Sequence, residues 1–438
     1  MQSSKTDRRN FIKAAAGAGL LLSAAGLAGV ASACSSKPTV RIGFVGMGGR
    51  GTSMLRTALS LEGVVISAVC DIIPERAERA QRLVEQTGQK TPRAFTGAED
   101  YKKMAEMNEL DAIYTATPVD LHIPIMLAAM RGGKYGATEM GARIELDEAW
   151  ELVETSEKTK KPCMLMENYA YMRNVMMVLN MTRAGLFGDL THCACGYQHD
   201  ARYVDFGPDG ELLWRVKNWY KDHDGNPYPT HAIGPVAQWL NINRGNRFEY
   251  LVSMSSRSLG RNHYAAQKFG AEHPAATMKY AQGDVNTSLI QTHDGITVTL
   301  YHDVASPRPI DWIYRIQGTK GIYFGTLDKI FLEDYATSHR WEEIDEYREK
   351  YEHPLWKKYV EIAAASGHGG SDYLCFRDFV EAIRNRADTP IDVYDMVTWS
   401  IITKLTQDSV ANRSCAIDFP DFTKGQWQTR KPLQIQEV

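Results

Sequence analysis

Val40-Arg41-Ile42-Gly43-Phe44-Val45-Gly46-Met47-Gly48-Gly49-Arg50-Gly51 sets a short apolar run directly before a G-x-G-x-x-G pattern, and Thr52 to Leu61 then predicts a helix. The run suits a strand buried on both faces. A glycine pattern carries meaning only between a strand and a helix, and here it has both neighbours. Gly46 permits the tight turn, Gly48 lets the backbone approach a pyrophosphate, and Gly51 lets helix and strand pack closely. The diphosphate would rest on the helix N-terminus, where unpaired N–H groups and the helix dipole favour an anion. A second apolar run, Val64 to Cys70, ends in Asp71, twenty residues past Gly51. An acid at that distance accepts ribose hydroxyls. It also repels a 2′-phosphate, so NAD is expected rather than NADP.

Working outward, Leu110 to Pro118 predicts another strand, and Val119-Asp120-Leu121-His122 opens the next helix. Lys134 to Glu139 is again strand-like, Leu146 to Lys160 a helix, and Pro162 to Glu167 a further strand. This alternation predicts an α/β fold with a doubly wound parallel sheet and the cofactor at the strand C-termini. The chain has 438 residues, 44% of them hydrophobic and 24% charged. That length predicts two domains, a dinucleotide-binding one over 38–168 and a substrate-binding one over 169–438 whose C-terminal segment can pack back on the first. Lys plus Arg total 50 against 53 Asp plus Glu. No basic excess exists to hold a phosphate backbone, which excludes nucleic acid as a partner.

The first 33 residues read as an address. Asp7-Arg8-Arg9-Asn10-Phe11-Ile12-Lys13 precedes an uncharged stretch of Ala, Gly and Leu running to Ala33, the pattern of a twin-arginine export signal. A membrane anchor is the competing reading, since the stretch is long enough to span, but its many Gly and Ala make it weakly apolar. Cys34 follows Ala31-Ser32-Ala33, as at a lipoprotein cleavage site, although Ala31 stands where Leu is usual, so lipidation of Cys34 is left open. A periplasmic or membrane-anchored location is expected. The other cysteines form no CxxC pair, and no disulfide is expected.

The strand end Ala116-Thr117-Pro118, the downstream His122 and the Glu139 segment resemble the Gfo/Idh/MocA oxidoreductases. That resemblance implies an N-terminal Rossmann domain and a C-terminal α+β domain built on an open, mainly antiparallel sheet. Most members carry Glu-Lys-Pro after the fifth strand, with the lysine assisting proton transfer; here Glu139-Met140-Gly141 stands instead. A narrower resemblance accounts for the loss. Glu167-Asn168-Tyr169, Gly196-Tyr197-Gln198-His199-Asp200, Tyr228-Pro229-Thr230-His231, Asn243-Arg244-Gly245-Asn246-Arg247 and Gly367-His368-Gly369-Gly370 resemble glycoside hydrolase family 109, the NAD-dependent α-N-acetylgalactosaminidases. It implies NAD contacts at Gly49, Arg50, Asp71, Val119, Asp120, Leu121, His122, Glu139, Met140 and Asn168, beside Gly46, Gly48 and Gly51. It implies substrate contacts at Tyr197, Arg215, Tyr228, Pro229, Thr230 and His231, with His231 and Tyr228 catalytic. The family's Tyr after Arg-Pro is replaced by Ile310 after Arg308-Pro309, and Tyr314 is the nearest candidate to stand in.

Read without the resemblance, Tyr228 to His231 follows a polar stretch, and Pro229 favours a helix beginning at Thr230. A histidine at such a helix start is expected near solvent, where it suits proton shuttling, although a lone histidine is more often structural. His122 reads either as a cofactor-pocket residue or as a helix cap, and His199 with Asp200 as a hydrogen-bonded loop pair. His192 would face away from Cys193 and Cys195 on a strand, so no metal is expected. The resemblance implies hydride abstraction from sugar C3, elimination across C1 and C2, water addition and return of the hydride. NAD would then be tightly bound and recycled, which agrees with an exported chain. The substrate is expected to be a glycan or glycoside and the protein a homo-oligomer. Two other readings stand beside this one: an exported sugar or inositol oxidoreductase, and a glycan-binding surface lipoprotein.

Overall fold

Strand β1 (Val40–Val45) buries five of its six residues, as its apolar run requires in a sheet covered on both faces. In the computed structural model, which describes residues 37–433 except 142, 337 and 338, β1 lies at the centre of a six-stranded parallel sheet. Its companions are β2 (Val64–Cys70), β3 (Arg93–Phe95), β4 (Ala112–Thr115), β5 (Tyr135–Thr138) and β6 (Cys163–Leu165), in the order β3-β2-β1-β4-β5-β6. The order reverses between β1 and β4, so a crevice opens beyond their C-terminal ends. The segment read as an export signal, residues 1–33, and Cys34 lie outside the described residues. Among those described, no helix is long and apolar enough to cross a membrane.

Helix α1 starts at Gly49 and runs to Leu59, three residues earlier than its apolar pattern predicts, because the glycine turn itself supplies its first turn. Two helices and a strand also went unread between β2 and β4: α2 (Pro74–Glu85), α3 (Asp100–Ala105) and β3. The helices α4 (His122–Arg131) and α5 (Leu146–Thr159) complete the repeat. Val119–Leu121 forms a separate short 3-10 turn ahead of α4.

After α6 (Arg173–Arg183), the second half builds a nine-stranded sheet around β7 (Leu190–Gln198), with α7 (Thr230–Trp239) against it. β7 pairs in parallel with the strand Thr297–Asp303, and every other neighbouring pair in that sheet is antiparallel. The described residues from Pro38 onward form one compact unit, in which a large buried apolar cluster runs from Val40 through both sheets to Phe422 and a smaller one gathers Phe206, Trp219 and Tyr280 in the second half. A late helix ties the second half to the first sheet. The Ser371–Asn385 helix brings Phe376 to 6.0 Å from Phe44 on β1 and 5.6 Å from Tyr114 on β4. With the Phe44–Tyr114 pair at 4.8 Å, these contacts contribute roughly 0.5–1.5 kcal/mol each beyond area burial.

Candidate active site

The glycine turn fits a dinucleotide. Gly46 has φ +86°, and a Cβ there would sit 2.8 Å from the Ala116 backbone. A Cβ on Gly51 would meet the Gly46 carbonyl oxygen at 1.8 Å, so only glycine lets α1 lie this close to the β1 turn. Around Gly48 and Gly49, by contrast, a Cβ would meet nothing within 4 Å. Gly48 caps α1 without a side chain, leaving first-turn N–H groups for an anion. Asp71 holds the turn from the neighbouring strand, accepting from the Met47 N–H at 2.6 Å and the Ile73 N–H at 2.9 Å.

Arg50 is the centre of a largely buried ionic network. Its guanidinium meets Glu139 at 3.0 Å and takes both oxygens of Asp372, at 2.7 and 3.0 Å. Asp372 also accepts from Asn168 at 2.8 Å and pairs with His368 Nδ1 at 2.9 Å. Burial alone would raise the Asp372 carboxyl, but the bonds from His368 and Arg50 hold it well below the usual carboxylate range. Burial opposes the charge on Arg50 too, and Glu139 followed by Asp372 overcomes it.

A cavity of about 310 Å³ opens beside this network. It brings together Arg50, Val119, His122, Glu139, Met140 and Asn168 from the predicted cofactor set with Tyr197, Arg215, Tyr228 and His231 from the predicted substrate set. Of its two readings His122 follows the cofactor-pocket one: it lines the cavity and bonds the Thr117 carbonyl through Nε2 at 2.9 Å, whereas the N-cap of α4 is Leu121. That bond places the proton on Nε2, and burial pushes the ring down to about 4, leaving a neutral imidazole. Nδ1 of His122 and Oδ1 of Asn168 are buried polar atoms with no partner among the described residues, free for a cofactor group.

The glycine in Glu139-Met140-Gly141 has a steric cause. Gly141 has φ +82°, which proline cannot adopt, and a Cβ there would sit 2.8 Å from the Tyr228 ring. The missing proline therefore goes with the seating of Tyr228, while Met140 lines the cavity where the family's lysine would stand. Tyr228 lies 4.9 Å from Tyr197, and the Arg215 guanidinium stands 5.9 Å from the Tyr228 ring and 5.5 Å from Trp214. Burial pushes the Tyr197 phenol up to about 12 and Tyr228 further, so both are neutral hydrogen-bond donors at neutral pH.

His231 is not near bulk solvent, as a helix-start position suggested. It is 6% exposed, because its ring stacks on Tyr169 at 3.9 Å and its Nδ1 meets Glu167 Oε1 at 2.7 Å. Several other expectations are corrected. Tyr314 does not reach the cavity: it is buried behind α7, and its hydroxyl donates to the His231 backbone carbonyl. Ile310 is 57% exposed and lines a separate surface hollow with Arg308 and Asp311. Pro229 and Thr230 are buried at the start of α7 and set its geometry, the Pro229 carbonyl accepting from the Ala232 and Ile233 N–H groups. Asp120 and Leu121 stand outside the main cavity, Asp120 lining a smaller hollow with Arg143 and Trp219. Asp200 pairs with Arg202 at 2.8 Å rather than with His199. His192 bonds Thr297, and among the described residues no group of three His, Cys, Asp or Glu is placed to hold a metal.

The residues that sequence reasoning left without a role are Glu167, Tyr169, His368 and Asp372. Glu167 and Tyr169 follow the C-terminal end of β6, where a doubly wound sheet places ligand-facing groups, and that position was the available signal. Asp372 is 322 residues from Arg50, and nothing local marks it.

Residues 40–167 match the oxidoreductase family with the NAD-binding Rossmann fold, and 171–429 match the C-terminal domain of glycosyl hydrolase 109. A glycosyl hydrolase family 109 protein of Solibacter usitatus is 42% identical over 98% of this chain and 100% of its own. An alpha-N-acetylgalactosaminidase of Tannerella forsythia is 38% identical over 97% of this chain and 98% of its own. Levoglucosan dehydrogenase in complex with NADH shares the fold at TM-score 0.67 and 18% identity, covering 87% of this chain and 99% of that one.

Proposed function

The chain belongs to glycosyl hydrolase family 109, with an NAD-binding Rossmann fold in its first half, and on that premise we propose that it hydrolyses α-N-acetylgalactosaminides by transient oxidation at sugar C3. One observation carries this reading: a buried imidazole with its own carboxylate shares one cavity with the residues suited to a nicotinamide. Among that cavity's lining residues Glu139 is the sole carboxylic acid, and it already accepts from Tyr114 and pairs with Arg50. A pair of carboxylates flanking the scissile bond, the usual glycosidase device, is not what this cavity offers.

The glycine turn, Asp71, Arg50 and Asn168 would hold NAD, which when bound supplies reversible hydride acceptance at C3. Nε2 of His231 takes the proton of the C3 hydroxyl and later gives it back. Tyr197, Tyr228 and Arg215 orient the sugar through ring faces and hydrogen bonds. A C3 ketone acidifies the C2 hydrogen, loss of that proton expels the C1 substituent, and water adds to the unsaturated ketone. No net redox change results, so NAD stays bound and is recycled. The choice of N-acetylgalactosamine is supported by the name of the Tannerella relative. Export by the twin-arginine route to the periplasm or a membrane surface, with or without lipidation at Cys34, is supported by the Arg8-Arg9 segment. A self-contained cofactor suits that location, where no NADH-recycling pool surrounds the enzyme.

Incubation of an aryl α-N-acetylgalactosaminide with the enzyme in deuterated water should place deuterium at C2 of the released sugar without net NADH. Release without C2 exchange overturns the elimination route, and stoichiometric NADH would instead indicate a sugar dehydrogenase.

A further inference from the structure

We propose that Glu167 is the positioning residue that makes His231 a base, an inference that rests on the role given to His231 above. Glu167 is 0% exposed and follows the last residue of β6 by two positions. Its Oε1 accepts from the Tyr169 N–H at 3.0 Å and from His231 Nδ1 at 2.7 Å. Its Oε2 has no hydrogen-bond partner, and no Lys or Arg pairs with it among the described residues. A carboxylate buried this deeply is costly unless a cation stands against it. The imidazole of His231 is the group in place to become that cation.

The geometry fixes more than charge. A carboxylate accepts, so Nδ1 of His231 carries the proton and Nε2 keeps its lone pair. Nε2 makes no hydrogen bond to the described residues, while His231 lines the cavity. Stacking on Tyr169 at 3.9 Å with planes 17° apart prevents the ring from turning. The Tyr314 hydroxyl holds the His231 backbone carbonyl from behind. The charged and titratable groups facing the ring are thus Glu167 and Tyr169 beyond β6, Tyr197 on β7, His199 just past β7 and Tyr228 before α7, with Arg215 across the Tyr228 ring. Glu167 alone among them bears negative charge. When His231 takes the sugar hydroxyl proton, the neutral-imidazole and carboxylate pair becomes an ion pair, without a new buried charge left unanswered.

The test is Glu167→Gln, which keeps the side-chain shape and one accepting oxygen but removes the charge. With an aryl glycoside, kcat should fall by ~10²-fold or more, the scale of general base catalysis, while KM stays within about 3-fold. NAD released on denaturing the purified protein should be unchanged, and Glu167→Asp should restore part of kcat. A kcat within about 3-fold of the parent overturns the proposal, as does a loss of NAD content equal to the loss of rate. Should Glu167→Gln fail to fold, ¹⁵N imidazole spectra of the unaltered protein decide: a protonated Nδ1 and bare Nε2 support the assignment, and the opposite tautomer overturns it. Tautomer and variant are read without reference to C2 exchange. Absence of deuterium at C2 with a collapsed kcat in Glu167→Gln would reject the elimination route and leave the positioning role standing.

Discussion

The two sides of the cavity are built on opposite principles. On the cofactor side every charge is answered: Arg50 has two carboxylates, and Asp372 takes four hydrogen bonds from three residues. On the sugar side Arg215 faces the rings of Tyr228 and Trp214, with no carboxylate paired to it among the described residues. The His231 ring has a single hydrogen-bond partner among the described residues, and its second nitrogen makes no bond to them. With NAD and a sugar bound as proposed, the difference would let one cavity keep one ligand and turn over another: the closed Arg50–Asp372 network would hold the cofactor, and the neutral phenols with the second nitrogen of His231 would meet each sugar in turn.

That contrast can be broken most sharply at His231. His231→Ala should lower kcat by at least ~10²-fold with NAD content unaltered, measured as aryl-glycoside turnover beside absorbance of the released cofactor. Parallel loss of both would show that the two sides are one structural unit. A smaller effect is expected at Asp372. Asp372→Asn keeps the shape but frees Arg50 from its bidentate partner, and NAD affinity should weaken about tenfold, equivalent to about 1.4 kcal/mol, by fluorescence titration. The sign with pH follows from the depressed carboxyl. Its stabilisation is fully present above the ordinary value of 3.8 and is lost as pH falls through the lower folded value. The difference in melting midpoint between Asp372→Asn and the parent should therefore be constant near neutrality and shrink in strong acid. The smallest effect belongs to Arg215→Met, which keeps an unbranched stem over Tyr228. It should raise KM several-fold and change kcat little, as steady-state kinetics would read. A pure kcat effect would move Arg215 from holding the sugar to its chemistry.

What the sequence made legible was local. The strand, glycine turn and Asp71 fall within 32 residues, and their spacing carries the fold because chain geometry leaves little freedom over that distance. The start of α7 at Thr230 was readable for the same reason, since proline sets the backbone beside it. The surroundings of His231 were not readable, because burial depends on Tyr169 and Glu167, which lie 64 residues from it or nearly so. Tyr314 misled through proximity. It is four residues from Ile310, but the chain turns at Asp311 to Ile313 before the strand Arg315–Gly318, and one side chain ends buried and the other exposed. The resemblance to relatives supplied names for cavity residues, but it gave no role to Asp372 or Glu167.

The bond between Arg50 and Asp372 also sets an order of events during synthesis. A ribosome that has released the first 200 residues has produced the glycine turn, Asp71, Glu139 and Asn168, yet neither the Ser371–Asn385 helix nor the carboxylate that gathers three of the cavity's residues. Nascent chain can thus offer a nucleotide only a partial grip. With NAD held as proposed, full capture of the cofactor would be an act of the completed polypeptide, the last fifth of the message completing a grip that the first fifth begins.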